Sequence, residues 1–281
     1  MLYNEELIML GTGHATVTEC YNTCFVLRAS ESILLVDGGG GNGILKQMKK
    51  AKIHITELTG IFVTHTHIDH LFGIVWVLRM MGEEMTGKNE IHRCTIYSHS
   101  KVLNVLKYLC KNTLSQNVWE NIQKKVKFKK VYHTQYVEIG RSIGLQFFDT
   151  KSCTEKQYGF RACLSNGKTL VCLGDALYQE QLASYLQDAD WLLCESFCRD
   201  YDKEKFNPYK YHHNTVLNAA IIAQQLDVKN LILYHTEDSM LPERKERYIA
   251  EAHRAYSGNV YVPNDLESII ICLLYTSDAA D

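Results

Sequence analysis

The sequence lacks an apolar run long enough to cross a bilayer. Its first residues, MLYNEELIMLGTG, place acidic side chains before a short apolar stretch and offer no small-residue cleavage site of the secretory type. We therefore expect a cytoplasmic protein without a membrane partner. Ten cysteines without a secretory signal then indicate reduced, mostly buried thiols rather than a disulfide framework.

The sequence also has little net charge and no closely paired cysteines. Thirty basic residues nearly balance 32 acidic ones, so no global basic field indicates a nucleic-acid partner. The most basic stretch, 124–130 (KKVKFKK), is either a local patch for such a partner or, more in keeping with its alternation, the solvated face of a strand. Neither Cys20 and Cys24 nor Cys194 and Cys198 have the spacing of a structural zinc knuckle.

The length of 281 residues and the 46% hydrophobic content predict one large globular domain over residues 1–271. The last ten residues, CLLYTSDAAD at 272–281, resemble the in-frame translation of a transposon-type sequencing adapter. We expect this tail to be non-native, with Ile271 as the last native residue, and exclude it from fold reasoning.

The most informative stretch is THTHIDHLFG at 64–73, between an apolar strand-like run and an apolar helix-like segment. In an extended chain side chains alternate, so His65 and His67 face the same side and can hold one ion. The chain then turns into the helix and carries Asp69 and His70 toward a second ion. A histidine-rich surface loop is the alternative, but it gives no reason for a buried strand before it and an apolar helix after it.

Three further polar residues stand beside predicted strands and helices. Asp175 and His235 each follow an apolar strand, and His213 precedes a predicted helix at 216–226. Taken singly, they are readily explained as a turn residue, a core histidine and a residue at a helix start. Together they supply ligands that the first motif lacks for two ions. Imidazole with carboxylate suits zinc, and also manganese or iron, better than calcium or magnesium.

A glycine-rich turn at 38–43 (GGGGNG) follows Asp37 and formally satisfies G-x-G-x-x-G, which suggests a dinucleotide-binding oxidoreductase. The next strand, however, ends in Thr64-His65 rather than in the acidic residue that would bind a ribose. We favour a turn that bends the chain beside the metal ligands, with Asp37 orienting one of the histidines.

The order of these motifs resembles the metallo-β-lactamase fold superfamily over residues 5–271. The shared motifs are LLVDGG at 34–39, the H-x-H-x-D-H run, Gly174-Asp175 and Tyr234-His235. A second set resembles the ribonuclease Z branch, namely LGTG at 10–13, YGFR at 158–161, the segment 192–197 ending in ESF, and HNT at 213–215.

The resemblance implies an α/β (α+β) fold, the four-layer αββα metallo-β-lactamase sandwich, with two zinc ions between the sheets. His65 and His67 would bind the first ion. Asp69, His70 and His235 would bind the second, and Asp175 would bridge the two. For catalysis we expect Asp69 to orient and deprotonate a water molecule, and His213, supported by Glu195, to donate a proton to the leaving oxygen.

Two departures from the family pattern affect these expectations. The third histidine expected for the first metal site is missing from 150–158 (TKSCTEKQY). In this segment Cys153 is the one good candidate zinc ligand, which a metal would hold as a thiolate. Lys151 is the alternative, with its ammonium supplying positive charge in place of the ligand. A tRNA substrate is also disfavoured. Acidic and neutral residues replace the basic ones expected before Asn22, Cys194 stands where a histidine is expected, and no Gly/Pro-rich arm is present.

We therefore expect a metal-dependent hydrolase, specifically a phosphodiesterase or ribonuclease Z-like nuclease acting on a small-molecule or RNA phosphodiester. One alternative is a metal-poor module that binds a nucleotide or RNA end without cleaving it. Another is a hydrolase of a different ester, a lactone or a thioester, because one scaffold supports many chemistries. Sandwich enzymes of this kind often form homodimers, which we keep as an open expectation.

Overall fold

The computed structural model describes residues 5–84, 94–164 and 167–272, and within these ranges 14 strands form two sheets of seven. In chain order the strands are β1 (Glu5–Gly11), β2 (Cys24–Ala29), β3 (Ser32–Val36), β4 (Gly60–Phe62), β5 (Thr95–Ser98), β6 (Lys127–Lys130), β7 (Tyr136–Ile139), β8 (Ile143–Asp149), β9 (Tyr158–Leu164), β10 (Thr169–Cys172), β11 (Trp191–Glu195), β12 (Asn230–Tyr234), β13 (Asn259–Tyr261) and β14 (Ser268–Cys272).

The first sheet has the order β14-β1-β2-β3-β4-β5-β6 and the second the order β13-β12-β11-β10-β9-β8-β7. Strands β3 to β6 are mutually parallel, as are β10 to β13. The C-terminal β14 returns to pair antiparallel with β1, with Glu6 opposite Ile270. Each half of the chain thus forms mainly one sheet, and the last strand closes the first sheet at its edge.

Eight α-helices cover the outer faces within the described residues. They are α1 (Gly43–Lys50), α2 (Ile68–Glu84), α3 (Ser100–Thr113), α4 (Gln116–Lys125), α5 (Ala183–Leu186), α6 (Lys203–Phe206), α7 (Val216–Gln225) and α8 (Leu241–Ala252). The two longest, α2 and α3, pack on the first sheet, and α7 and α8 pack on the second. In the described ranges, no helix is both long and apolar enough to span a membrane.

Three apolar clusters form the core. One lies between the sheets and joins residues such as Phe25 and Phe62 of the first sheet to Phe147 and Phe160 of the second. The other two lie between each sheet and its helices. Central strands such as β4 and β11 are buried at every position, because both of their faces are covered. The layers are therefore helix, sheet, sheet and helix, which confirms the predicted αββα sandwich.

The structure places two segments that the sequence singled out, the basic stretch 124–130 and the start of the C-terminal tail. The basic stretch forms the end of α4 and the edge strand β6, in which all three lysines are exposed, as expected for a solvated face. The main chain of Cys272, the first residue of the predicted tail, ends β14, and residues 273–281 lie outside the described ranges.

The parallel strands of both sheets end at the same edge of the sandwich. In the first sheet Asp37 follows β3, and His65 follows β4 by three residues. In the second, Asp175 follows β10, Glu195 ends β11 and His235 follows β12 directly. Carboxyl ends of parallel strands are the usual place for a site in open α/β sheets, and here two such edges meet.

Candidate metal centre

The first group of ligands, which we call the first cluster, consists of His65, His67 and Asp175. One ligand atom from each residue lies within 4.8 Å of the others. His65 and His67 belong to the extended segment between β4 and α2, and their ring centroids are 4.4 Å apart. The same-side placement expected from alternation is therefore confirmed. His65 is buried, whereas His67 is exposed.

The second cluster consists of Asp69, His70 and His235, all three of them buried. Asp69 and His70 lie in the first turn of α2, and His235 follows β12 in a left-handed backbone conformation with φ of 57°. Asp69 Oδ2 lies 3.3 Å from Nε2 of His70 and 3.5 Å from Nε2 of His235. The cluster therefore joins the two sheets, since β12 belongs to the second sheet and α2 follows a strand of the first.

Asp175 lies between the two clusters. Its Oδ2 atom is 3.5 Å from Nε2 of His65, 3.6 Å from Nε2 of His70 and 3.9 Å from Nε2 of His235. This is the position that the bridging role predicted for Asp175 requires. The glycine before it, Gly174, has a φ of 71° and so allows the tight turn after β10.

Two buried carboxylates outside the clusters orient the imidazoles. Asp37 Oδ2 accepts from Nδ1 of His70 at 2.8 Å, and Asp37 also accepts from the amide and hydroxyl of Thr64. Glu195 Oε1 accepts from Nδ1 of His235 at 2.9 Å and from Nδ1 of His213. When Nδ1 donates, the lone pair of Nε2 points toward the centre, as in metal-binding histidines. The orienting role predicted for Asp37 is confirmed.

The imidazole nitrogens that face the centre lie near carboxylates but form no hydrogen bond. Nε2 of His65, of His70 and of His235 are all buried without a hydrogen bond. Buried polar atoms are nearly always satisfied, so three unsatisfied nitrogens directed at two carboxylates need an explanation. A divalent cation accounts for all of them, and the imidazole and carboxylate donors match zinc-type ions. The residues present therefore fit the metal that the fold implies.

The electrostatics favour the ligand forms of Asp69, Asp175 and His65, whereas the pKa values of His70 and His235 are raised by the carboxylates around them. Burial alone would raise the pKa of Asp69, but His70 and His235 outweigh it and hold the pKa well below the usual range. The pKa of His65 is also lowered, but here burial is the cause, and it brings the pKa to about 3. For His70, the nearby carboxylates outweigh burial and raise the pKa, so a metal that binds there replaces a proton.

A residue that the sequence did not single out, Gln157, lies against the first cluster. The Gln157 Nε2 donates to Asp175 Oδ1 and lies 3.0 Å from Nδ1 of His65. Cys153 is not brought to the first cluster; it is exposed, and its Sγ is 3.2 Å from Nδ1 of His212. Lys151 also points elsewhere, with Nζ 3.8 Å from Asp149 Oδ2.

Two other residues at the site were also missed. His14 lies beside the second cluster, with its ring 4.5 Å from that of Phe197 and 6.4 Å from that of His235, and burial lowers its pKa to about 4. Tyr21 fills the glycine-rich turn, where its hydroxyl donates to the carbonyls of Gly38 and Gly41. That contact supports the turn interpretation over a dinucleotide site.

A cavity of about 500 Å³ opens over the two clusters. His65, His67 and Asp69 line its floor, and His213 and Tyr211 lie in its wall. This volume is typical of small-molecule sites. The predicted catalytic residues His213 and Glu195 are in contact, and Glu195 links His213 to the second cluster through His235.

The sandwich and its paired clusters define a metallo-β-lactamase-fold protein of the metal-dependent hydrolase class. Within that class, the chain belongs to the family described as Anti-Pycsar protein Apyc1, whose model matches residues 5–255. The sequence motifs led to the superfamily and to its ribonuclease Z-like branch but not to this family.

Known proteins confirm that resemblance. Ribonuclease Z of Bacillus cereus (strain AH820) is 24% identical over 309 residues, covering 94% of this chain and 98% of the relative. The metallo-β-lactamase fold protein YhfI from Bacillus subtilis superposes with a TM-score of 0.75 at 19% identity, over 95% of this chain and 100% of the other. Zn²⁺-bound PqqB from Methylobacterium extorquens superposes with a TM-score of 0.70 at 14% identity, over 94% of this chain and 99% of the other.

Proposed function

We propose that this protein is a metal-dependent phosphodiesterase. The observation that carries the proposal is the convergence of three unpartnered, buried imidazole nitrogens, from His65, His70 and His235, on the carboxylates of Asp69 and Asp175. The full-length similarity to ribonuclease Z supports a phosphodiester as the bond that is cleaved. The substrate class is a small-molecule or RNA phosphodiester.

His65, His67, Asp69, His70, Asp175 and His235 would hold the metal ions. Bound zinc, or manganese or iron in its place, would acidify a water molecule and neutralise charge on the phosphoryl oxygens. Asp69 lines the cavity, where its carboxylate would orient the water and take up its proton. Asp69 and His70 are themselves buried.

His213 and Glu195 serve the leaving group. Glu195 is fully buried and accepts from His213, while the amide of Asn214 donates to its other oxygen at 3.3 Å. The His213 ring stacks on Phe197 at 5.0 Å and lies in the cavity wall. With Nδ1 fixed by Glu195, Nε2 can carry a proton to the departing oxygen.

The substrate question is tested by comparing bond types on the zinc- or manganese-loaded protein. We expect bis(4-nitrophenyl) phosphate and a short RNA to be cleaved at least about 10³-fold faster than by the chelator-treated protein. We expect 4-nitrophenyl acetate, a lactone and a thioester to show no metal-dependent turnover, and a precursor tRNA to remain uncut at its 3′ end. Metal-dependent ester, lactone or thioester cleavage without phosphodiester cleavage would contradict the proposal.

A second candidate function is a metal-poor module that binds a nucleotide or RNA end without cleaving it. The carboxamide of Gln157 at the first cluster favours it, because an amide replaces a strong ligand there. The two functions differ in metal content and turnover. Less than one equivalent of metal, no phosphodiester turnover and saturable binding of a nucleotide would establish the binding module.

A further inference from the structure

The side chain of Gln157 lies at the centre, and the proposed chemistry does not use it. It precedes β9 and is 3% exposed. Space for it comes from Gly174, where an added Cβ would lie 3.0 Å from the carboxamide carbon of Gln157. The carboxamide is therefore held between β9 and the turn that carries Asp175.

The contacts of this carboxamide define its orientation. A carboxylate only accepts, so the atom that faces Asp175 Oδ1 must be Nε2, which donates. The same nitrogen lies 3.0 Å from Nδ1 of His65, and its two hydrogens can serve both partners. The other end, Oε1, is buried and has no partner. Gln157 thus contacts two of the three residues of the first cluster, Asp175 and His65.

This orientation affects which nitrogen of His65 carries the proton. Nδ1 of His65 lies 2.9 Å from the Thr64 oxygen, which can accept from it because the Thr64 hydroxyl donates to Asp37, and 3.0 Å from Nε2 of Gln157, which can donate to it. A neutral imidazole that accepts at Nδ1 carries its proton on Nε2, the atom 3.5 Å from Asp175. In that tautomer Nε2 has no lone pair for a metal. His70 and His235 are different, because their Nδ1 atoms face carboxylates.

We propose that Gln157 makes the two clusters load with metal unequally, the second before the first. Its amide takes the place of a cation on Asp175 and His65 while the first cluster is empty. Metal binding at the first cluster then requires the proton of His65 to move to Nδ1 and the carboxamide to turn. The turn presents Oε1, a weaker zinc donor than imidazole. The inference rests on the metal binding in the proposed function, but not on the reaction catalysed.

The direct test follows the Gln157 side chain during zinc addition to the metal-free full-length protein. Glutamine labelled with ¹⁵N reports each carboxamide, and the Gln157 signal is identified by its loss in Gln157→His. We expect the signal to stay in place through the first equivalent of zinc and to shift during the second. A shift that is complete within the first equivalent would overturn the proposal, and the zinc titration itself is carried out on the wild-type protein.

A variant gives an independent measurement. We expect Gln157→His to bind the weaker zinc ion at least about 10-fold more tightly and to keep two equivalents after dialysis against a chelator that leaves wild type with one. Gln123→His adds an imidazole at an exposed position of α4 and should match wild type. Equal retention of zinc by wild type and a folded Gln157→His protein would refute the proposal.

Neither experiment measures hydrolysis, so the two proposals fail separately. A protein that loads zinc in two steps but cleaves no phosphodiester would refute the phosphodiesterase and leave the role of Gln157 standing. A protein that cleaves phosphodiesters but fills both clusters together would refute the role of Gln157 and leave the phosphodiesterase proposal standing.

Discussion

The two clusters share the carboxylate of Asp175 but are built differently around it. In the second cluster every ligand is buried, and Asp37 and Glu195 each hold one imidazole through Nδ1. In the first cluster His67 is exposed, and the partners of His65 are the hydroxyl of Thr64 and the amide of Gln157.

This contrast shows that similar ligand residues need not give similar sites. Carboxylates that fix a histidine raise its basicity and hold its ring in place, whereas a hydroxyl and an amide do this less strongly. We therefore regard the second cluster as the permanent part of the centre and the first as the adjustable part. The following predictions test that distinction, from the largest expected effect to the smallest.

Asp69→Ala should have the largest effect, because it removes a ligand of the second cluster and the proposed proton acceptor together. We expect turnover of a phosphodiester to fall by about 10³-fold or more, with loss of the tightly held ion. The matched variant at the other cluster, His67→Ala, should keep that ion. Elemental analysis and steady-state kinetics measure both effects, and full activity in Asp69→Ala would remove Asp69 from the mechanism.

Complete metal removal by a chelator should lower turnover about as much as Asp69→Ala does, and stepwise return of zinc should restore it unevenly. If the second cluster fills first, one equivalent restores little activity and the second equivalent restores most of it, because the proposed reaction uses both ions. Turnover that rises in proportion to zinc from the first addition would show that the clusters are equivalent.

His213→Ala should separate catalysis from metal binding. We expect about a 10²-fold loss of turnover on a substrate with a poor leaving group and a smaller loss with 4-nitrophenolate, which departs without a proton. Zinc content should be unchanged. We expect Glu195→Gln to lose more turnover than His213→Ala, because Glu195 also accepts a hydrogen bond from His235. An equal loss of turnover on both leaving groups would contradict proton donation by His213.

Asp190 provides a pH control away from both clusters. Burial would raise its pKa, but hydrogen bonds from Lys229, the Thr169 amide and Lys168 lower it to about 2. A carboxyl whose pKa falls on folding stabilises the fold above about pH 4 and loses that effect as the pH falls toward 2. With both lysines well exposed, we expect Asp190→Asn to cost about 1 kcal/mol at pH 7 and less than half of that at pH 2, where the carboxyl is about half protonated.

Thermal denaturation at the two pH values measures this difference, which corresponds to about 2 °C in Tm for a chain of this size. A variant that is equally destabilised at pH 2 would show that the carboxylate charge is not the cause. The result also separates acid effects on the fold from acid effects on the metal centre.

Cys153→Ala should have the smallest effect. The thiol faces His212 rather than the first cluster, so we expect unchanged zinc content and unchanged affinity for the weaker ion. Loss of that ion in the variant would instead support the thiolate ligand suggested by the sequence. Ser152→Ala, one residue away in the same loop, is the matched control.

Much of the centre was predictable because its ligands follow local patterns. His65 and His67 alternate in an extended segment, and Asp175 and His235 each follow an apolar strand. Such positions are visible in one stretch of sequence, and parallel strands bring them to one edge. The layers of the sandwich could be predicted for the same reason, because buried strands form continuous apolar runs in the sequence.

Gln157 could not be predicted in this way. An amide in the loop TEKQY has no ligand signature, and its role depends on Gly174, which approaches only in the folded chain. His14 and Tyr21 were missed for a related reason, because each acts through partners distant in sequence, such as Phe197 for His14 and Gly41 for Tyr21. Where a contact joins segments far apart in sequence, local pattern carries no signal for it.

The second cluster takes Asp69 and His70 from beside the first sheet and His235 from the end of a strand in the second. An ion held there is a cross-link between segments about 165 residues apart, and unfolding must break it. The unfolded chain keeps the local run at 65–70 but does not bring His235 to it, so zinc binds the native state more tightly. At a concentration 100 times the dissociation constant, that linkage stabilises the sandwich by up to about 2.7 kcal/mol. The temperature at which the sheets separate therefore depends on the free zinc concentration around the protein.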